Sequence, residues 1–202
     1  MNIKFLDETP GVTNDNMAMY NPSKYLLWQN TLMGLYDKNI RDMQLGRHYE
    51  ELGIKMEKAI GTNGEFGFIF ELLGKLCSVL SIKAEIGIII TDAYKSKNNT
   101  LLEDITNNIL PELSKRVLDL RYYHRDIWLK TNKYFGWEIV DLRYGALLMD
   151  IDTAQTRISG YLTGKIDKME ELEEERLYFD NKPGFSAGYR YSKMHSASRV
   201  SQ

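Results

Sequence analysis

The fold is decided by the stretch from 137 to 164, WEIVDLRYGALLMDIDTAQTRISGYLTG. Its apolar residues recur in alternating steps of four and three, at Val140, Tyr144, Leu147, Ile151, Ala154, Ile158 and Tyr161. Because an α-helix turns once in about 3.6 residues, this spacing places all of them on one face. The stretch therefore predicts a long helix that buries one side and ends at Gly164.

The helical pattern continues from this stretch towards both ends of the chain. Only four prolines occur in 202 residues, so few positions interrupt a helix. Apolar spacing and turn residues predict further helices that start after an Asn21 N-cap and end near 34–37, and that span about 40–60, 65–95, 101–133 and 169–177. We also expect a capping box at Thr100 and Glu103, and a kink or a break near Asn108 because Pro111 lacks a backbone donor.

These elements predict an all-α fold. The run 86–90 is short and apolar like a strand, but the helical period continues on both sides of it, which favours a helix. We expect an antiparallel bundle of five to six helices over residues 22–178, with irregular terminal segments at 1–21 and 179–202. The helices at 101–133 and 137–164 are expected to form its central hairpin.

The composition excludes several classes of protein. Lys and Arg number 26 against 28 Asp and Glu, a net charge of −2, so there is no basic excess to attract nucleic acid. The single cysteine, Cys77, excludes an internal disulfide and a zinc site made of several cysteines, and a buried, inert thiol is expected. No apolar run approaches the ~20 residues of a membrane span, and the start lacks the apolar core of a signal peptide. We expect a cytoplasmic chain with no membrane partner.

Motifs for metal, nucleotide or acyl-transfer chemistry are absent from the sequence. The three histidines are not spaced four apart, and no P-loop, G-x-G-x-x-G or G-x-S-x-G pattern occurs. The glutamates between 170 and 175 are typical of a solvated face at a helix start rather than a cation site. The sequence therefore predicts no metal site and no cofactor.

One region is dense in aromatic and charged side chains, and it supplies the candidate binding residues. Between 122 and 144 they are Trp128, Trp137, His124, Arg125, Asp141 and Arg143, with Tyr122 and Tyr123 beside them, and Trp28 joins the set from the first predicted helix. In one interpretation they bind a sugar, with indole rings for stacking and charged groups for hydroxyls. In the other, which we favour, Arg–carboxylate pairs tie two helices of a hairpin. Asp141 and Arg143 are two residues apart and do not face each other, so the second interpretation requires partners from elsewhere.

Several blocks are too specific to be explained by helix formation alone. They are NPSKYLLWQ at 21–29, LMGLYD at 32–37, HRDIW at 124–128, NKYFGWEIVDLRYG at 132–145, RISGYLTG at 157–164, ELEEERL at 171–177, PGF at 183–185 and GYR at 188–190. In this order they resemble the C-terminal helical domain of a bacterial subgroup of glycoside hydrolase family 20, the exo-β-N-acetylhexosaminidases and exo-β-glucosaminidases. The resemblance covers the chain from about Phe5 to about Arg190.

The resemblance implies that the chemistry belongs to a TIM barrel that precedes this domain. There an adjacent Asp-Glu pair protonates the leaving oxygen and orients the substrate's acetamido group. The Asp7-Glu8 step of this chain lacks the His/Asn-x-Gly context of that motif, so no catalytic role is assigned to it. A barrel needs about 200 residues or more, which this helical chain does not have to spare.

The sequence is therefore compatible with three hypotheses about function. The first is a non-catalytic accessory or assembly domain, inactive alone, whose partner is the catalytic barrel in the parent enzyme or on a separate chain. The second is a free-standing helical module that binds a sugar or a protein through exposed aromatic side chains. The third is homodimerisation through the strongly apolar segments 25–36 and 66–80.

Overall fold

The computed structural model describes residues 26–178 of the chain. All regular elements in this part are helical, which confirms the all-α class. Their bounds are α1 Asp37–Ile40, α2 Leu45–Ile60, α3 Gly67–Lys83, α4 Ile86–Lys95, α5 Asn99–Asp104, α6 Leu110–Thr131, α7 Trp137–Leu162 and α8 Glu170–Glu173, with a 3₁₀ turn at Gly64–Phe66 and a π-helical segment at Ile105–Ile109. The segments 1–21 and 179–202 and the helix start at Asn21 lie outside the described residues.

The central hairpin consists of α6 and α7, which a short turn at 132–136 connects. The predicted apolar stripe of α7 is buried from Val140 to Ile158, and the last member, Tyr161, is half-buried. Five helices within residues 26–178 have ten residues or more, as the predicted bundle of five to six requires. They pack around one apolar core, to which residues 26–28 also contribute buried side chains.

Two predicted helices had wrong bounds for one shared reason. The expected helix 65–95 is divided into α3 and α4 at Ala84 and Glu85, and the expected helix 40–60 begins only at Leu45. The Glu85 carboxylate accepts hydrogen bonds from the backbone N–H of Leu45 (2.8 Å) and of Gly46 (3.0 Å). These are donors that a helix start leaves unpaired. A long-range cap therefore fixes both the break and the start of α2.

Where a kink or a break was expected near Asn108, the π-helical segment interrupts the α-helix just before α6. The N–H of Leu110 bonds to the carbonyl of Ile105, five residues back, and Pro111 has no N–H to donate. The Thr106 carbonyl would accept from the N–H of Leu110 in an α-helix and from the N–H of residue 111 in a π-helix, and neither donor is available to it. The Gln155 amide from α7 replaces them, at 2.9 Å from that oxygen. The defect in one helix is thus repaired by its neighbour.

Three further boundary predictions were wrong. The N-cap of α5 is Asn98, whose side chain accepts from the N–H of Leu101 at 3.1 Å, and not Thr100. The acidic helix predicted at 169–177 is limited to the four residues of α8. The helix that was predicted to end near 34–37 ends at Trp28, well before α1. Residues 29–36, called the inner loop below, are not helical, although most of them are buried.

Candidate functional site

The hairpin is tied by an Arg–carboxylate pair, as the favoured interpretation expected. Arg121 of α6 donates two hydrogen bonds to the carboxylate of Asp141 in α7, at 2.9 and 3.0 Å. Such a bidentate pair has a fixed geometry. Asp141 thus has its partner on the other helix of the hairpin. Arg143, the other charged residue predicted for this stretch, is buried with 7% of its surface exposed.

Two of the three predicted tryptophans belong to the core. Trp28 is 0% and Trp137 is 1% exposed. The ring centroids of Trp28 and Tyr144 lie 5.4 Å apart in a T-shaped arrangement. His124 is also buried, and its ring centroid lies 5.1 Å from that of Trp137, again in a T-shaped arrangement. Nδ1 of His124 also lies 3.3 Å from the Tyr144 hydroxyl. Burial raises the pKa of that hydroxyl. These four rings form an aromatic core cluster, and their faces are not open to a sugar.

The other aromatic candidates lie nearer the surface. Trp128 is half-buried and its indole N–H donates to the carbonyl of Lys133 at 2.9 Å. The Tyr122 ring is 47% exposed, and the guanidinium groups of Arg121 and Arg125 each lie 5.3 Å from its centre. The hydroxyl of Tyr123 donates to Glu71 at 2.6 Å. Of the predicted set, Tyr122 is exposed, and Tyr123, Arg125, Trp128 and Asp141 are half-buried and offer part of their surface.

A second feature of the hairpin is its outward apolar surface. Tyr134 and Phe135 in the turn are 66% and 86% exposed, and Ile139, Leu142 and Met149 of α7 are 48%, 54% and 61% exposed. Steps of three and seven place the three α7 residues on one helix face, away from the buried stripe. We call these five residues the hairpin surface. The sequence analysis identified the buried stripe of this stretch but not the exposed apolar residues on the other side of the helix.

A groove of about 430 Å³ lies between α2, α3 and α6. Gly53 and Gly74 form part of its floor, and Lys75, Arg116 and Asp119 line its rim. Lys75 pairs with Asp119 at 2.7 Å, and Arg116 pairs with Glu112. These three side chains are therefore engaged in ion pairs, and the carboxylates of Glu50 and Glu57 also line the groove.

A buried polar cluster surrounds the inner loop, and sequence reasoning did not find it. The Lys83 ammonium, fully enclosed, donates to the carbonyl of Gln29 at 2.7 Å, and burial lowers the pKa of Lys83. The Asp150 carboxylate accepts from the backbone N–H and the hydroxyl of Thr31 at 2.9 and 2.6 Å and from the Asn30 amide. One signal was available: Lys83 falls on the buried stripe of α3, three residues after Leu80.

Asp37 is the least satisfied member of this cluster. It is 1% exposed, and neither carboxylate oxygen has a hydrogen-bond partner among residues 26–178. The nearest cation is Arg176, whose Nε lies 3.9 Å from Oδ2, too far for a hydrogen bond. Burial therefore raises the pKa of Asp37 to about 6, against the lowering effect of Arg176, Lys83 and Arg41.

The described residues 26–178 hold no group of three or more His, Cys, Asp or Glu side chains arranged for a metal ion. Cys77 is buried as expected, and burial raises the pKa of its thiol to about 11. Asp7 and Glu8 lie outside these residues. Within the same range, no helix combines the length and the apolar character that crossing a bilayer requires.

Fold and site together define a helical domain in which several charged side chains hold its own elements together. The family comparison makes this class specific. Residues 1–189 match the model of the Glycoside Hydrolase 20C C-terminal domain, and the chain belongs to that family. Membership identifies it as a non-catalytic accessory domain of family 20 enzymes and implies a catalytic domain as its partner in the parent enzyme. No curated protein matches the chain.

Proposed function

We propose that this domain packs against the catalytic barrel of an exo-β-N-acetylhexosaminidase or exo-β-glucosaminidase through the hairpin surface, and that it has no hydrolytic activity alone. The supporting observation is the set of five large apolar side chains that α7 and its preceding turn expose, three of which share one face of α7. Apolar side chains gathered on one face are typical of an interaction surface, with aromatic residues near its centre. Phe135, at 86% exposure, is the most available of them.

The surroundings of four buried or half-buried carboxylates support a structural role for them over a catalytic one. A glycosidase needs two carboxyl groups that face a common cleft, or one acid beside a group that positions the substrate. Within residues 26–178, Asp141 and Glu171 are each engaged by an arginine, and Asp150 by the inner loop. Asp37 is enclosed, and a substrate does not reach it. We infer that the reaction takes place on the partner barrel.

The test combines binding and activity. The chain and the separately produced barrel of the same parent enzyme are mixed, and their dissociation constant is measured by calorimetry. Phe135→Asp is expected to weaken binding at least about tenfold, because it buries a charge in the interface. Phe66→Asp is the matched control, since Phe66 is also exposed (56%) but lies on the 3₁₀ turn before α3. The chain alone is expected to leave a chromogenic N-acetylglucosaminide intact.

The outcomes separate the three functions. Equal binding by both variants would show that the barrel uses another face. A mass twice that of the 23.5 kDa chain in light scattering, restored to monomer by Phe135→Asp, would assign the hairpin surface to homodimerisation. Saturable binding of N-acetylglucosamine, lost in Tyr122→Ala, would instead support the sugar-binding module.

A further inference from the structure

Arg176 connects the end of the described chain to three other parts of the domain. It lies in residues 174–178, which follow α8 and are called the strap below. Its guanidinium donates to the carbonyl of Leu32 in the inner loop, to the hydroxyl of Thr91 in α4 (3.4 Å) and to the carbonyl of Glu171 in α8 (3.3 Å). Arg176 is therefore the strap residue that joins all three parts, while Lys38 also contacts the strap, through Glu175 at 3.5 Å and at 4.9 Å from the centre of the Tyr178 ring.

The Asp37 carboxylate lies beside this cation in a tight socket. A Cβ added to Gly34 would lie 2.0 Å from Oδ1, and one added to Gly87 would lie 2.9 Å from Oδ2. Only glycine at these two positions leaves room for the carboxylate. The socket supplies no hydrogen-bond donor from residues 26–178, so the ionised form depends on nearby positive charge, of which Arg176 is the largest source.

We propose that Asp37 and Arg176 form a proton-operated latch, in which ionised Asp37 holds the guanidinium and the strap against the inner loop and protonated Asp37 releases them. The coupling is reciprocal: Arg176 favours the ionised carboxylate, so the ionised carboxylate favours bound Arg176 to the same extent. Release uncovers the inner loop, whose Met33 and Leu35 side chains are already exposed. Acidification therefore changes the surface that this end of the domain presents to a partner.

Charged groups on every neighbouring element face the latch. Lys83 of α3 and Arg41 after α1 favour ionised Asp37, and Asp92 of α4, which pairs with Arg41 at 2.7 Å, opposes it. Burial outweighs all of them and raises the pKa of Asp37 to about 6, which places the transition near that pH. Four carboxylates on α8 and the strap have other partners: Glu170 pairs with Lys168, Glu171 with Arg157 and Glu175 with Lys38, and Glu173 accepts from the Tyr94 hydroxyl. Glu174, also on the strap, is exposed.

The test follows strap mobility directly. Leu177 is 62% exposed, so Leu177→Cys carries a nitroxide label, and the mobile fraction is read by electron paramagnetic resonance. The equilibrium between released and held strap is expected to shift about fivefold towards release between about pH 8 and about pH 5, with its midpoint near 6. Unmutated chain treated with the same reagent checks that buried Cys77 stays unlabelled.

Variants distinguish the latch from other titrating groups. In Asp37→Asn the strap is expected to be as mobile at about pH 8 as the parent is at about pH 5, with no pH dependence between them. Arg176→Gln is expected to behave in the same way, and it tests the latch if the core variant fails to fold. Asp119→Asn, an exposed carboxylate in a distant ion pair, is expected to match the parent. A strap that stays immobile on acidification, or a transition that persists in Asp37→Asn, overturns the proposal.

Discussion

Replacing Asp37 by asparagine should stabilise the domain at neutral and alkaline pH relative to acid pH. Burial raises the pKa of Asp37 from 3.8 to about 6. Each tenfold change in proton affinity corresponds to about 1.4 kcal/mol, so the ionised side chain destabilises the native state by about 3 kcal/mol. Because the folded pKa is the higher one, this penalty is absent below about pH 3.8, grows between there and about pH 6, and is constant above. The neutral amide avoids it at every pH.

The free energy of unfolding by urea, followed by circular dichroism from about pH 4 to about pH 8, measures this difference. The amide adds two buried N–H donors, but their effect is the same at all pH values and cancels when the pH dependence is compared. The stability of Asp37→Asn minus that of the parent should rise by about 2.5 kcal/mol across this range, and Asp119→Asn should show no such rise. A difference that changes by less than about 1 kcal/mol would refute the reasoning, because the carboxylate would then be as well accommodated ionised as neutral.

Three further changes test the packing of α7. Gln155→Leu leaves the Thr106 carbonyl at the π-helical segment without a donor and should cost about 1–3 kcal/mol in urea unfolding; a smaller loss would mean that water replaces the amide. Trp137→Ala empties a fully buried site and should cost about 3–5 kcal/mol, whereas a loss near that of a surface variant would contradict the core placement. Asp141→Asn breaks a half-exposed bidentate pair with Arg121 and should lower stability by only about 1 kcal/mol, with a smaller effect at high salt.

The elements that the sequence predicted well are those determined by local information. The stripe of α7 repeats over seven positions, and each repeat is set by the helix period alone. The break after Lys83 was not predictable in this way, because it depends on Glu85 capping a helix some forty positions earlier. Similarly, the repair of the Thr106 carbonyl by Gln155 joins residues that no local window contains.

The sequence also did not show which of the aromatic candidates are buried in the core. Trp28 and Trp137 have the same side chain as a sugar-stacking residue, and the sequence context of a core indole is equally rich in apolar neighbours. The charged residues allowed a better prediction. Asp141 and Arg143 cannot face each other on one helix, so a partner for Asp141 was expected on another element. Arg121 is that partner. The hairpin surface was missed because it is defined by what stays outside the core.

The inner loop explains why an unusual sequence block precedes α1 in a helical domain. Buried backbone that is neither helix nor strand has to find hydrogen-bond partners outside regular structure. Here charged groups from distant elements supply them: Lys83 donates to the Gln29 carbonyl, Arg176 donates to the Leu32 carbonyl, and Asp150 accepts from the N–H of Thr31. With Asp37, these groups amount to two positive and two negative charges when all are ionised. Loss of one negative charge by protonation leaves the cations in excess, and Arg176, on the strap, is the cation that can move to solvent.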